Sequence, residues 1–323
     1  MKKKYYITTP IYYPSAKPHM GHAYSSISTD FIARYRRLEG FDVEFVTGTD
    51  EHGQKIQKSA KKKNLPPLDF CNKISKVFLD LGKVLNLSNT DFIRTTENRH
   101  YKTVQKLWKI LEEKKFIYLS KYSGWYSISD EAFYSESEII DKENIKLCEA
   151  TGSIVEWVEE ESYFFKLSEF QDILIKHYED NPDFIQPASR RNEVISFVKD
   201  GLKDLSISRN SFKWGIPVPN SKDHIIYVWL DALANYLTAS NYDEENSFWP
   251  ADVHVIGKDI LRFHAVYWPA FLFAANIPLP KKIFAHGWIL SGDEKMSKSK
   301  GNILDPIEII EQFGLDEIRY YLM

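Results

Sequence analysis

Near its amino terminus the chain sets a strand, a loop, a helix and a second strand in close succession, and that order limits the fold more than any other feature. Residues 5–9 are rich in β-forming side chains and read as a short buried strand. A proline-containing loop follows at 10–18. Tyr24, Ile27, Phe31, Tyr35 and Leu38 then recur at three- and four-residue steps, which predicts an amphipathic helix that buries those five, and Gly40 stands where a glycine ends one. Residues 41–46 read as the next strand. Strands joined through a helix pair in parallel, and a parallel sheet is covered by helices on its faces. The expected class is therefore α/β.

Further along, the texture changes. From 116 to 223 Tyr, Trp, Ser and Glu dominate, with strand-like pieces at 154–158 and 163–166 and helical ones at 169–178 and 191–202. After that stretch, 225–229, 253–256 and 282–284 resume the buried-strand pattern. The plan is a parallel-sheet nucleotide-binding fold in two halves, 1–115 and 224–290, split by an inserted α+β domain at 116–223. Residues 306–313 and 316–322 read as helices, and a helical pattern running to Met323 without a tail suggests a piece of a longer chain. The 323 residues, 43% of them hydrophobic, suffice for a sizeable core, and 15% aromatics argue against disorder.

Two short motifs carry candidate chemistry. Pro18, His19, Met20, Gly21 and His22 fall on the turn from the first strand into the first helix, where open α/β sheets bind ligands. A helix start offers backbone N–H groups to an anion, two histidines a turn apart can add donors, and Gly21 would let a nucleotide approach the backbone. Taken alone, the pair reads equally well as a metal pair or as two surface histidines. The second motif is Lys295, Met296, Ser297, Lys298 and Ser299, followed by Lys300, Gly301 and Asn302, on a flexible approach that includes Gly292. Two lysines three apart suit a leaving pyrophosphate, on which charge builds in the transition state; a solvated basic loop is the plainer alternative. Neither of the two commonest glycine-rich phosphate cradles is present.

The two motifs together, in this order and on this fold, resemble the signatures of class I aminoacyl-tRNA synthetases. Within that class the chain is most similar to the methionine enzymes, through TTPIYY at 8–13, TGTDEHG at 47–53, IRTTE at 93–97, LSISR at 205–209, WGIPVP at 214–219, YVWLDA at 227–232 and IGKDI at 256–260 with His264. The resemblance implies a Rossmann-like catalytic domain interrupted by a connective domain, with residues 291–323 forming the second-motif loop and the start of a helical domain. It implies ATP bound by His19, Gly21, His22, Gly257, Asp259, Lys295, Met296, Ser297 and Lys298, with His19, His22, Lys295 and Lys298 catalytic. It further implies methionine enclosed by Ile11, Tyr13, Trp229, Ala232, Leu233, Tyr236, Ile260 and His264, its ammonium group on Asp50. An aromatic-lined pocket suits a soft thioether, although each of those aromatics read singly is more simply core. Arg209 would sit near the nucleotide or at the edge of the insertion, and His52 and Gly53 would only shape their loop. Magnesium would come with ATP, and tRNA(Met) would present its acceptor end to the insertion.

The chain departs from the family in one respect. Many members carry cysteine pairs that hold zinc in the insertion, whereas Ser127, Asp130, Cys148 and Thr151 stand here. Hydroxyls are poor zinc ligands, so no metal site is expected, and Trp125, Tyr126, Phe133 and Trp157 would hold that domain by packing. Cys71 and Cys148 are the only cysteines, in no paired motif, and read as reduced thiols. The start, MKKKYYITTPIYYP, lacks the apolar run of a signal peptide, and no apolar stretch is long enough to span a bilayer. The expected location is cytoplasmic. Three other readings compete with this one. Synthetases for isoleucine, valine or leucine carry far larger editing insertions; small nucleotidylyltransferases lack YVWLDA; a non-catalytic paralogue would have lost some of the four motif residues.

Overall fold

The computed structural model describes residues 2–130, 132–142, 145–291, 294–295 and 304–323. The first half runs β1 (Lys4–Tyr12), α1 (Met20–Leu38), β2 (Asp42–Thr49), α2 (Gln54–Lys62), α3 (Pro67–Val84), β3 (Asp91–Arg94) and α4 (Asn98–Glu113). The insertion follows with β4 (Ile117–Ser127), β5 (Ala132–Tyr134), β6 (Ile139–Lys142), β7 (Ile145–Cys148), β8 (Glu156–Phe165), α5 (Gln171–Asp180), β9 (Ile185–Gln186), α6 (Ala188–Lys199), β10 (Leu205–Ser206) and β11 (Ser208–Arg209). The remainder is β12 (Ile225–Ile226), α7 (Val228–Leu233), α8 (Asn235–Ala239), β13 (Val253–Gly257), α9 (Trp268–Ala275), β14 (Ile283–His286), β15 (Leu290–Ser291), β16 (Glu294–Lys295), α10 (Pro306–Phe313) and α11 (Leu315–Tyr321).

Six strands form one sheet in the order β3-β2-β1-β13-β14-β9, every pair parallel. β1 is buried along almost its whole length, as a strand covered on both faces must be. It runs three residues past the sequence reading, through Pro10, which lacks the N–H a ladder needs. The register with β2 shifts between Thr8 and Ile11, and Pro10 lies within that irregularity. The chain leaves β1 towards β2 and β3 on one side and returns on the other with β13 and β14. The carboxyl ends of β1 and β13 therefore diverge and open a crevice.

Several expectations needed correction. Phe31, Tyr35 and Leu38 of α1 are exposed, while Met20, Ala23, Ser25, Ser26, Ile27, Thr29, Asp30 and Ala33 are buried. The buried side packs against the sheet and against residues of α3 and α11. Small residues allow the close approach there, and polar ones are retained because partners satisfy them. Residues 225–229 do not form a strand of the parallel sheet. Only Ile225–Ile226 pairs, antiparallel to β11, and the chain turns into α7 at once. A short apolar run cannot separate a buried strand from a buried helix, and α8, which follows α7, is buried along its whole length. The insertion also has two parts. β10, β8, β4 and β5 make an antiparallel sheet, whereas β9, lying between α5 and α6, joins the edge of the main sheet beside β14.

In the antiparallel part Trp125 meets Trp157 edge-on at 5.3 Å, and Tyr126 packs on Phe133 at 4.8 Å. Of Ser127, Asp130, Cys148 and Thr151, the first, second and fourth share a hydrogen-bonded cluster. The Asp130 carboxylate accepts from the hydroxyls of Tyr134, Thr151 and Ser153 at 2.8, 2.7 and 2.7 Å, and the Asp130 amide reaches Ser127 Oγ at 3.3 Å. These donors are hydroxyls turned towards a carboxylate, a set that does not fit zinc. Among the described residues no three His, Cys, Asp or Glu side chains converge as metal ligands do. No helix among them is long and apolar enough to cross a membrane.

Candidate active site

At the divergence of β1 and β13 lies a cavity of about 420 Å3, within the range of small-molecule sites, roughly 300–1,000 Å3. Its walls come from the end of β1 (Ile11, Tyr13), the start of α1 (His19, Gly21, His22), the end of β2 (Asp50), α7 and α8 (Trp229, Ala232, Leu233, Tyr236) and the end of β13 with the turn after it (Gly257, Asp259, Ile260, His264). Every described side chain named from the sequence for nucleotide or amino acid thus faces one space. The second motif is different. The backbone of Lys295 lies in β16, paired with β15, whereas Met296, Ser297, Lys298 and the rest of the motif lie outside the described residues, as does Gly292.

The two motif histidines cap their own helix. His19 Nδ1 accepts the Gly21 amide at 3.1 Å, and the His19 amide donates to His22 Nδ1 at 3.0 Å. This is a capping box built from two imidazoles instead of the usual hydroxyl and carboxylate. It has a chemical consequence. With Nδ1 accepting, a neutral ring carries its proton on Nε2, so each histidine has an Nε2–H to donate. Their rings lie 3.9 Å apart. Gly21 is needed for a reason other than ligand approach: a Cβ there would stand 2.9 Å from His19 Cε1. The Met20 amide donates to the Leu304 carbonyl at 3.1 Å, so the chain emerging from the second motif returns to this helix start.

The apolar end of the cavity is built on aromatic contacts. Trp229 lies flat on Phe263 at 3.4 Å with 5° between planes. Phe263–Tyr267 forms one turn of π-helix, a local widening common at functional sites, and it carries His264. His264 Nδ1–H donates to the Ile260 carbonyl at 3.0 Å, which leaves Nε2 to accept the Tyr236 hydroxyl at 2.8 Å. Burial pushes the pKa of His264 down to about 4, and burial raises that of Tyr236. Both are therefore neutral at pH 7, and this end of the cavity presents uncharged walls.

Asp50 follows the end of β2 and is 8% exposed, its amide donating to the Tyr12 carbonyl at 2.9 Å. Trp214, from the WGIPVP stretch, fixes the loop beyond: its indole N–H donates to the Glu51 carbonyl at 2.6 Å, and its carbonyl accepts the Gly53 amide at 3.1 Å. Glu51 points the other way and takes both Nε and Nη2 of Arg94, at 2.7 and 2.9 Å. Arg209 is not in the cavity. It is buried on β11, outside the four-stranded sheet, paired with Glu160 of β8, its guanidinium 4.1 Å over the Tyr126 ring. Of the two expected places for Arg209, the structure gives the second.

Sequence reasoning missed some of the lining. His286 ends β14, its Nδ1–H donating to the Gly287 carbonyl at 2.8 Å and its Nε2 2.7 Å from Ser25 Oγ. Burial pushes its pKa down. The signal was present, since a histidine at the carboxyl end of an expected parallel strand stands where ligands bind. Trp288, whose ring lies beneath Lys258 Nζ at 3.7 Å, and Asp130, from the insertion, also reach the wall. Nothing local in the sequence marks Asp130.

A parallel sheet that opens at its switch point onto a histidine-capped helix start and an aromatic-walled pocket is an open α/β core with its ligand crevice at the carboxyl ends of the strands. The chain belongs to the family of class I tRNA synthetases (M), whose model matches residues 5–323. It is 58% identical over 327 residues to the methionine–tRNA ligase of Rickettsia conorii, covering 100% of this chain and 64% of the relative. It is 56% identical over 324 residues to that of Rhizobium meliloti, covering 99% and 63%. The chain thus spans a little under two thirds of the length of the curated relatives it matches. Mycobacterium tuberculosis methionyl-tRNA synthetase in complex with methionyl-adenylate superposes with a TM-score of 0.97 at 53% identity, over 99% of this chain and 64% of that one. The free form of the same enzyme gives 0.85 at 48% identity, over 100% and 62%.

Proposed function

We propose that this chain binds ATP and L-methionine together in the one cavity and joins them as methionyl-adenylate, releasing pyrophosphate. The protein it represents then passes methionine to the 3'-terminal adenosine of tRNA(Met) for protein synthesis. The observation that carries this reading is the convergence of the described motif residues on one crevice. The relatives' names, and the adenylate bound by the mycobacterial enzyme, support it.

In this reading the methionine side chain lies against Ile11, Tyr13, Trp229, Ala232, Leu233, Tyr236, Ile260 and His264, and its ammonium group pairs with Asp50. The carboxylate oxygen attacks the α-phosphorus of ATP; the new O–P bond forms as the bond to the bridging oxygen breaks, and pyrophosphate leaves with the electron pair. His19 and His22 donate Nε2–H to the phosphates, Gly257 and Asp259 line the nucleoside side, Met296 and Ser297 join Lys295 and Lys298 in binding ATP, and the two lysines counter the charge on the leaving group. Magnesium bound to ATP would offset the phosphate charge, held by the phosphates and water more than by protein side chains. Positioning and charge stabilisation suffice for such a displacement. Residues 116–223 serve as the connective domain that meets the tRNA acceptor end, the halves 1–115 and 224–290 as the catalytic domain, and 291–323 as the loop with the start of a helical domain. The site of action is the cytoplasm.

Amino-acid-dependent ATP–pyrophosphate exchange tests this, with all twenty amino acids, on the chain and on Lys298→Ala. The expected result is exchange with methionine alone, reduced about a hundredfold or more in the variant, the usual cost of losing a charge-stabilising donor. Exchange driven by another amino acid would overturn the pocket assignment, and none from folded protein would overturn the reading.

A further inference from the structure

Behind the cavity wall sits a carboxylate that faces no ligand space. Asp231 is fully buried, with an imidazole on each oxygen: His52 Nδ1–H donates to Oδ2 at 2.6 Å and His100 Nε2–H to Oδ1 at 2.8 Å. His100 continues to the Thr238 hydroxyl at 2.9 Å, and His52 Nε2 lies 3.2 Å from the Tyr101 hydroxyl. Neither Asp231 nor either histidine lines the cavity. Desolvating a carboxylate is costly, and such a group endures where its partners hold it. Burial works against ionisation of Asp231, yet the attraction of His52 and the hydrogen bonds of both imidazoles keep its carboxyl below the usual range.

What this carboxylate joins is informative. Asp231 belongs to α7, the helix that gives the cavity Trp229, Ala232 and Leu233. His52, 179 residues earlier, stands two positions after Asp50 on the loop leaving β2. The His52 carbonyl also accepts the Tyr13 hydroxyl at 3.0 Å. The end of β1, the Asp50 loop and the apolar wall of α7 are therefore tied through one residue, His52, by its carbonyl on one side and its imidazole on the other, and His100 of α4 braces the carboxylate from the far side.

We propose that Asp231, acting through His52, is a positioning residue for the amino-acid substrate. It sets the distance between the carboxylate that takes the ammonium group and the wall that takes the side chain, and it does so without reaching the ligand space itself. The inference rests on the reading of this cavity as the methionine site. A merely space-filling Asp231 would behave differently: its loss would lower stability and leave both ligands equally affected.

The test is calorimetric titration of the chain with L-methionine and, separately, with ATP, on wild type, Asp231→Asn, His100→Ala and His100→Gln. The glutamine amide can return an N–H to Asp231. The expected result is methionine affinity about ten- to a hundredfold weaker in Asp231→Asn and His100→Ala, the scale of a misplacement of about 1 Å. ATP affinity should stay within about twofold, and His100→Gln should recover most of the loss. If Asp231→Asn does not fold, the His100 pair carries the comparison. Unchanged methionine affinity in the folded variants, or parallel weakening of methionine and ATP, would overturn the positioning role while leaving the cavity assignment intact. A wild-type chain that binds ATP but no methionine would overturn the assignment itself, and this inference with it.

Discussion

His264 shows what a single side chain contributes at the cavity. Its two nitrogens have distinct tasks, Nδ1–H donating to Ile260 and Nε2 accepting from Tyr236, and both require a neutral ring. Burial holds its pKa near 4, against 6.5 for an ordinary histidine, and His254 shifts in the same direction. The folded state therefore binds fewer protons than the unfolded one between those values. The stability involved is fully present above pH 6.5 and is lost as pH falls towards 4. At about 1.4 kcal/mol per pH unit, His264 alone accounts for about 3 kcal/mol over that window. Urea unfolding of wild type and His264→Asn at a series of pH values checks this. The wild type should lose stability from pH 6.5 downward, and the variant should show a slope shallower by about one proton.

Among the elements, α1 is held by more than its apolar contacts. Asp30, buried on that helix, accepts from the Ser88 amide at 2.7 Å and the Ser88 hydroxyl at 2.6 Å, from Arg34 at 2.7 Å and from Arg319 of α11. One carboxylate thus joins the helix of the first motif to the turn before β3 and to the last helix, and its pKa is lowered by these partners in spite of burial. Asp30→Ala leaves the half-buried donors of Ser88 and Arg319 without an acceptor. Its expected cost is about 1–3 kcal/mol, measured as the shift in denaturant midpoint. The same residue explains what the sequence left hidden. Counting apolar side chains put Phe31, Tyr35 and Leu38 on the inner face of α1, yet Asp30 and Thr29 are inside because Ser88, Arg319 and the Ser25 carbonyl meet them. Ser88 and Arg319 lie 58 and 289 positions from Asp30, where no local period reports them. The Asp231 network was invisible for the same reason, and β9 too, a two-residue strand that pairs only because β14 is there to receive it. By contrast the βαβ start, the helices at 169–178 and 191–202 and the strand ends that face the cavity were legible. They depend on local pattern and on a general property of parallel sheets.

For the whole molecule, the order of strands decides where chemistry can occur. The reversal between β1 and β13 opens the crevice, and residues separated by most of the chain, from Ile11 to Trp288, close around it. The insertion contributes to that enclosure at Asp130 and Ser129, and it lends β9 to the main sheet, so the two halves and the insertion are one packed unit around the site. The central claim is that this enclosure forms a methionyl-adenylate. The most direct measurement is a single turnover with the chain in excess over ATP labelled at the α-phosphorus, offered methionine, leucine or isoleucine, followed by separation of the protein-bound label. The account predicts labelled adenylate with methionine, retained by the protein, and none above background with the other two. Absence of adenylate with methionine, or equal amounts with leucine, would contradict it.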